Sequence, residues 1–95
     1  MAAYVIVEVT TPDPELMGRY RPLVAPTLEP FGGRFLVRGG RTETLEGGWA
    51  PERIVVMEFP SLEQARAWWS SEVYAEPKRM RQAAGRTRMI VVEGL

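Results

Sequence analysis

Residues 31–74 read FGGRFLVRGGRTETLEGGWAPERIVVMEFPSLEQARAWWSSEVY, and this stretch decides the fold. Arg34–Arg38 (RFLVR) and Arg53–Phe59 (RIVVMEF) are short runs of β-branched and aromatic residues, the pattern of strands. Gly39–Glu52, with four glycines and Trp49, is a long polar loop between them. Ser61 and Gln64 form an S-x-x-Q capping box, which satisfies free N–H groups where a helix starts. That helix carries the adjacent Trp68 and Trp69.

Working outward, Ala3–Val9 (AYVIVEV) reads as a first strand. Asp13 can cap a helix with Pro14 at its first position, where no N–H is needed. Leu16, Tyr20, Leu23, Val24, Thr27, Leu28 and Phe31 recur at helical spacing. Pro22 and Pro26 each remove a backbone hydrogen bond, which predicts a kink or break near them. Gly32 and Gly33 end the segment. Beyond Trp69, the residues Ser70, Ser71 and Pro77 predict a break and restart of the second helix, which runs to about Ala84. Gly85 follows, and Arg88–Glu93 (RMIVVE) is the last strand.

The order β-α-β-β-α-β, with right-handed crossovers, predicts one α+β domain over residues 1–95. It is a ferredoxin-like antiparallel sheet with two helical segments on one face. In this reading the first and third strands lie parallel at the centre, with the second and fourth at the edges.

Composition excludes several kinds of chemistry. The 95 residues carry 12 basic and 12 acidic side chains and no net charge, unlike a general nucleic-acid binder. Histidine, cysteine and asparagine are absent. A Ser-His-Asp triad, a His-ligated haem, a disulfide framework and the usual zinc sites are thereby excluded within this chain, and no metal ligand set or cofactor is implied. No apolar run reaches the length of a membrane span, and the N-terminus reads as a strand rather than a signal peptide, so a cytoplasmic location is expected.

Strand alternation sorts side chains onto two faces. One collects Val5, Val7, Val9, Phe35, Val37, Val55, Met57, Phe59, Ile90 and Val92, and belongs under the helices. The other collects Tyr4, Ile6, Glu8, Arg34, Leu36, Arg38, Ile54, Val56, Glu58, Met89, Val91 and Glu93. This second face is too apolar for water, which predicts a homodimer through the sheet.

On that face a parallel central pair would bring Glu8, Glu58 and Arg34 together. Two adjacent carboxylates would leave one protonated near neutral pH, which suits a general acid or base. The competing reading is an ion-pair cluster sealing the interface. Tyr4, Arg38 and Glu93 would meet at the opposite end, where they could grip a polar or anionic ligand, the competing and favoured reading being a structural pair. Trp49 either folds over an opening as a lid or simply packs, and packing is the reading favoured here. Of Trp68 and Trp69, which point about 100° apart, one should be core and the other at a groove edge or interface. The basic run Lys78, Arg79, Arg81, Arg86 and Arg88 reads as a solvated face near a helix C-terminus.

Several segments carry a family resemblance. They are Phe31-Gly32-Gly33-Arg34-Phe35, Arg38-Gly39-Gly40, Leu45-Glu46-Gly47, Arg53–Ser61 and the set Ala65, Trp68, Ser71 and Tyr74, with Val92-Glu93-Gly94 at the end. Together they resemble the uncharacterised domain-of-unknown-function-1330 family. The resemblance implies a ferredoxin-like subunit of the dimeric α/β-barrel superfamily, in which two sheets close face to face around a cavity. Relatives there include small monooxygenases, isomerases and haem proteins, and the family itself brings no catalytic residue to carry over.

The function expected from these readings is binding of a small organic ligand in a cavity on the open sheet face, or cofactor-independent catalysis there. The catalytic candidates are Glu8, Glu58 and Arg34, and the ligand-binding candidates are Tyr4, Arg38, Glu93, Trp49 and Trp68. The alternative is a non-catalytic homodimeric structural or interaction module. Neither a nucleic acid nor a membrane is expected as partner.

Overall fold

Helix α1 (Pro14–Leu28) starts where the Asp13 carboxylate accepts hydrogen bonds from the N–H groups of Glu15 and Leu16, at 3.1 and 3.2 Å. Helix α2 (Leu62–Trp69) starts at Ser61, whose Oγ accepts from the Gln64 N–H at 3.1 Å. The expected break follows at once. Helix α3 (Glu72–Ala84) is capped anew by Ser71, which accepts from the Tyr74 N–H. The computed structural model describes residues 1–10 and 13–95.

The strands are β1 (Ala3–Thr10), β2 (Arg34–Arg38), β3 (Arg53–Phe59) and β4 (Arg86–Glu93), in the sheet order β2-β3-β1-β4. This is the ferredoxin-like α+β arrangement expected from the element order. Every neighbouring pair is antiparallel, including β1 with β3. The expected parallel central pair is therefore corrected. A crossover through α1 makes β2 run parallel to β1, and the β2–β3 hairpin then reverses β3.

Helix α1 runs unbroken through Pro22 and Pro26, against the expected kink or break. Both prolines are exposed, as is Gly18. The carbonyls that lose their partners, those of Gly18 and Pro22, therefore belong to residues on the solvent side, where water replaces the missing N–H. A short 3-10 turn (Glu29–Phe31) follows α1 and ends at Gly32, whose φ of 71° is left-handed. The next glycine lets two elements close up: a Cβ on Gly33 would sit 2.6 Å from the Phe59 ring.

The core lies between the helices and one sheet face. Val5, Val7, Val9, Met57 and Phe59 meet Met17, Val24, Leu28, Ala65, Trp68 and Tyr74 there. Two register features change which residues face it. On β4, Val91 pairs with Val5 and Met89 with Val7, so Met89 and Val91 pack on the core while Ile90 and Val92 face out. On β2, a bulge between Phe35 and Val37 places Val37 beside Val56 on the open face and Arg38 beside Val55 on the helix face. The molecule measures 35 × 34 × 16 Å, the thin dimension being one helix layer on one sheet.

A cleft with a buried arginine on the helix side

The site is best built from Tyr74, which the Ser71 cap places in the first turn of α3. Tyr74 stacks on Trp68 with ring centroids 4.1 Å apart, and both are fully buried. Trp68 also meets the Phe59 ring at a tilt, with centroids 5.4 Å apart, and donates from its indole N–H to Thr27 Oγ1 at 3.0 Å. The Tyr74 hydroxyl lies 2.7 Å from that of Tyr20 on α1. Burial and the adjacent Tyr74 hydroxyl push the Tyr20 phenol well above its ordinary pKa, so it stays protonated.

Two turns along α3, Arg81 reaches the same hydroxyl. Its Nε donates to Tyr74 at 3.2 Å and its Nη1 donates to Thr87 Oγ1 on β4. Arg81 is only 4% exposed, and among the described residues it makes no ion pair. Among the described residues its hydrogen-bond partners are neutral hydroxyls. A buried cation is normally paired, because its desolvation otherwise goes uncompensated. Arg81 was expected on a solvated face with its basic neighbours. Its spacing from Tyr74, Pro77 and Ala84, all buried, is the helical signal that gives its true orientation.

Arg81 borders a cleft of about 580 Å³ between α2, α3 and β4. The apolar part of the wall is Val5, Ala65, Trp68, Trp69, Met89, Val91 and, at its edge, Ile90, and the polar part is Arg66, Ser70, Arg81, Gln82 and Thr87. Among the described residues no carboxylate lines it. The two tryptophans divide as expected, Trp68 buried in the core and Trp69 exposed at the rim, where Lys78 Nζ stands 3.8 Å from its ring centroid.

This cleft opens on the helix side, whereas a cavity on the open sheet face was expected. The two expected constellations also separate. With β1 and β3 antiparallel, Tyr4 pairs with Glu58 and Glu8 with Ile54, so the two glutamates stand at opposite ends. Glu58 is held by Arg34, Nη2 to Oε1 at 2.7 Å. Glu8 is held by Arg88, whose Nε donates at 2.8 Å, and by the Trp49 indole N–H at 3.1 Å. These bonds, from Arg88 first and Trp49 second, keep the Glu8 carboxyl below its ordinary pKa. Trp49 thus ties the long loop to β1.

Arg38, Tyr4 and Glu93 do not meet either. Arg38 is carried to the helix face by the bulge, where its Nη2 donates to the Arg21 carbonyl at 2.7 Å. Tyr4 lies on the open face against Gly94, and Glu93 falls beside Ala3 on the helix face. Among the described residues no group of acidic, histidine or cysteine side chains could hold a metal ion, and no helix is long and apolar enough to cross a membrane.

The model of a family described as a domain of unknown function, DUF1330, matches residues 2–95. The chain belongs to the DUF1330 family. No curated protein matches this DUF1330 chain significantly.

Among solved structures, the RPA0582 protein of unknown function from Rhodopseudomonas palustris is similar at 22% identity. The match covers 99% of this chain and 82% of that one, with a TM-score of 0.79. A dimeric ferredoxin-like protein of unknown function from Jannaschia sp. CCS1 is similar at 15% identity, over 99% of this chain and all of that one (100%), with a TM-score of 0.66. A Nitrosomonas europaea protein provisionally named an antibiotic biosynthesis monooxygenase is similar at 12% identity, over 99% and 90% of the chains, with a TM-score of 0.58. At these identities the likeness is one of fold.

Proposed function

We propose that this DUF1330 protein is a homodimer whose subunits each bind a small apolar molecule bearing an anionic group, held in the cleft between α2, α3 and β4. The observation that carries the reading is Arg81, a buried cation with hydroxyl partners only, bordering a largely apolar cleft of about 580 Å³. That volume is in the range of small-molecule sites, and a few convergent polar groups in an apolar wall are their usual make-up. A ligand carboxylate would supply the counter-charge that the protein withholds. Among the described residues the wall holds no carboxylate, and burial keeps the nearby Tyr20 phenol protonated, so the chemistry of the lining favours binding over acid–base catalysis.

A second copy as cover for the open sheet face rests on separate support. Leu36, Val37, Ile90 and Val92 are exposed there beside the half-buried Tyr4, Ile6, Ile54 and Val56. The strand carboxylates on this face are already matched, Glu58 by Arg34 at one end and Glu8 by Arg88 at the other, so burying it leaves neither carboxylate alone. Structural neighbours from Jannaschia sp. CCS1 and Thermobifida fusca are described as dimeric.

The ligand reading is tested by calorimetric titration with 2-naphthoate and its neutral analogue 2-naphthylmethanol. The acid should bind at least about tenfold more tightly than the alcohol, and Arg81→Met should abolish the difference. Equal affinities in the wild-type protein would remove the role assigned to Arg81.

A further inference from the structure

A second, smaller cavity lies on the helix side at the α1, β2 and β3 end of the sheet, and four arginines line it. They are Arg21 on α1, Arg38 ending β2, Arg53 opening β3, and Arg81 on α3. Its volume is about 40 Å³. A single water needs about 10–15 Å³ by this kind of measure, so the space takes a polyatomic headgroup.

Each arginine is set there by local structure. The β2 bulge turns Arg38 onto the helix face, where the Arg21 carbonyl anchors its Nη2 and its Cζ stands 4.2 Å from the Phe35 ring centroid. Arg53 packs against Gly39, whose φ of +75° is left-handed and where a Cβ would overlap the guanidinium. The left-handed backbone favours glycine at 39, whereas the mobile end of the Arg53 side chain could move aside for a Cβ.

Among the described residues none of the four arginines takes part in an ion pair. Arg38 donates to a backbone carbonyl, and Arg81 donates to hydroxyls. Burial, Arg21 and Arg38 together weaken the hold of Arg53 on its proton, so these charges feel one another. Packing alone does not call for such a cluster, because like charges held together destabilise the compact state. An oxyanion resolves it, since guanidinium forks match the oxygens of a carboxylate or phosphate in pairs.

We propose that Arg21, Arg38, Arg53 and Arg81 form a binding site for a small oxyanion, a phosphate or carboxylate headgroup. The site shares Arg81 with the cleft but opens at the α1 end, where Arg21, Arg38 and Arg53 line it and do not line the cleft.

The test is calorimetry on the whole protein with inorganic phosphate and, separately, with acetate, at constant ionic strength balanced by chloride. One of the two should bind saturably. Arg21→Gln, an exposed position that folding tolerates, and Arg53→Gln should each weaken that binding about tenfold or more. Saturable heat from neither anion in the wild-type protein overturns the proposal, and so does binding that both variants leave unchanged.

Discussion

Arg81 Nε donates to the Tyr74 hydroxyl across two turns of α3, at 3.2 Å, and this contact joins the aromatic core to the cleft. Both residues are buried, and the same hydroxyl is paired with Tyr20. Tyr74→Phe keeps the stack on Trp68 but leaves the Arg81 Nε and the Tyr20 hydroxyl without that partner. The expected cost is about 1–3 kcal/mol, because buried polar groups lose their bonds without regaining water. Urea unfolding measures it, and an unchanged midpoint would show that the hydroxyl contributes nothing.

The adjacent tryptophans should respond very differently to truncation. Trp68 is 0% exposed, sits between Phe59 and Tyr74, and satisfies its N–H on Thr27. Trp68→Ala should cost about 3–5 kcal/mol, a large part of the roughly 5–15 kcal/mol that holds a domain together. Trp69 is exposed and gains mainly from Lys78 above its ring, so Trp69→Ala should cost only about 0.5–1 kcal/mol. Parallel thermal melts of the two variants check the contrast, and similar losses would count against it.

Stability should fall in acid through Glu8. Its folded pKa lies below the unfolded one because Arg88, and secondarily Trp49, bond the ionised form. The contribution is therefore complete above the unfolded carboxylate pKa, about 4.3, and is lost as pH falls through the lower folded value. Glu8→Gln should flatten this part of the profile. Urea midpoints at about pH 7 and about pH 3 show it, and an identical acid loss in wild type and variant would exclude Glu8 as the source.

The assembly has a single-residue test. Ile90 is 61% exposed on the open face of edge strand β4. Light scattering of the wild-type protein should give twice the 10.7 kDa of one chain, and Ile90→Asp should give one chain with its fold intact by circular dichroism. A wild-type monomer at micromolar concentration would contradict the sheet-to-sheet dimer.

Much of this fold is legible in the sequence, and the exceptions have physical causes. Asp13, Ser61 and Ser71 mark helix starts because a helix leaves N–H groups that only such side chains satisfy locally. Met89–Val92 is apolar at four successive positions, so alternation does not set the phase of β4. The pairing of Arg88 with Glu8 and the packing of Met89 and Val91 set it instead. The β2 bulge leaves no mark in the run Arg34–Arg38, yet it moves Arg38 from one face to the other. Arg81 looks solvated beside Lys78 and Arg79, and only its helical spacing from Tyr74 and Pro77 gives its burial. The β2–β3 hairpin reverses β3, so β1 and β3 are antiparallel and Glu8 and Glu58, which a parallel pair would bring together, stand at opposite ends.

The most direct measurement is a titration of isotope-labelled protein with 2-naphthoate, followed by backbone amide chemical shifts. The expected result is saturable change confined to α2, α3 and β4, strongest at Trp69, Arg81, Thr87 and Met89 around the cleft, and lost in Arg81→Met. Changes centred instead on Ile6, Val56 and Leu36 of the open sheet face, or none at saturating ligand, would contradict the binding site assigned to Arg81.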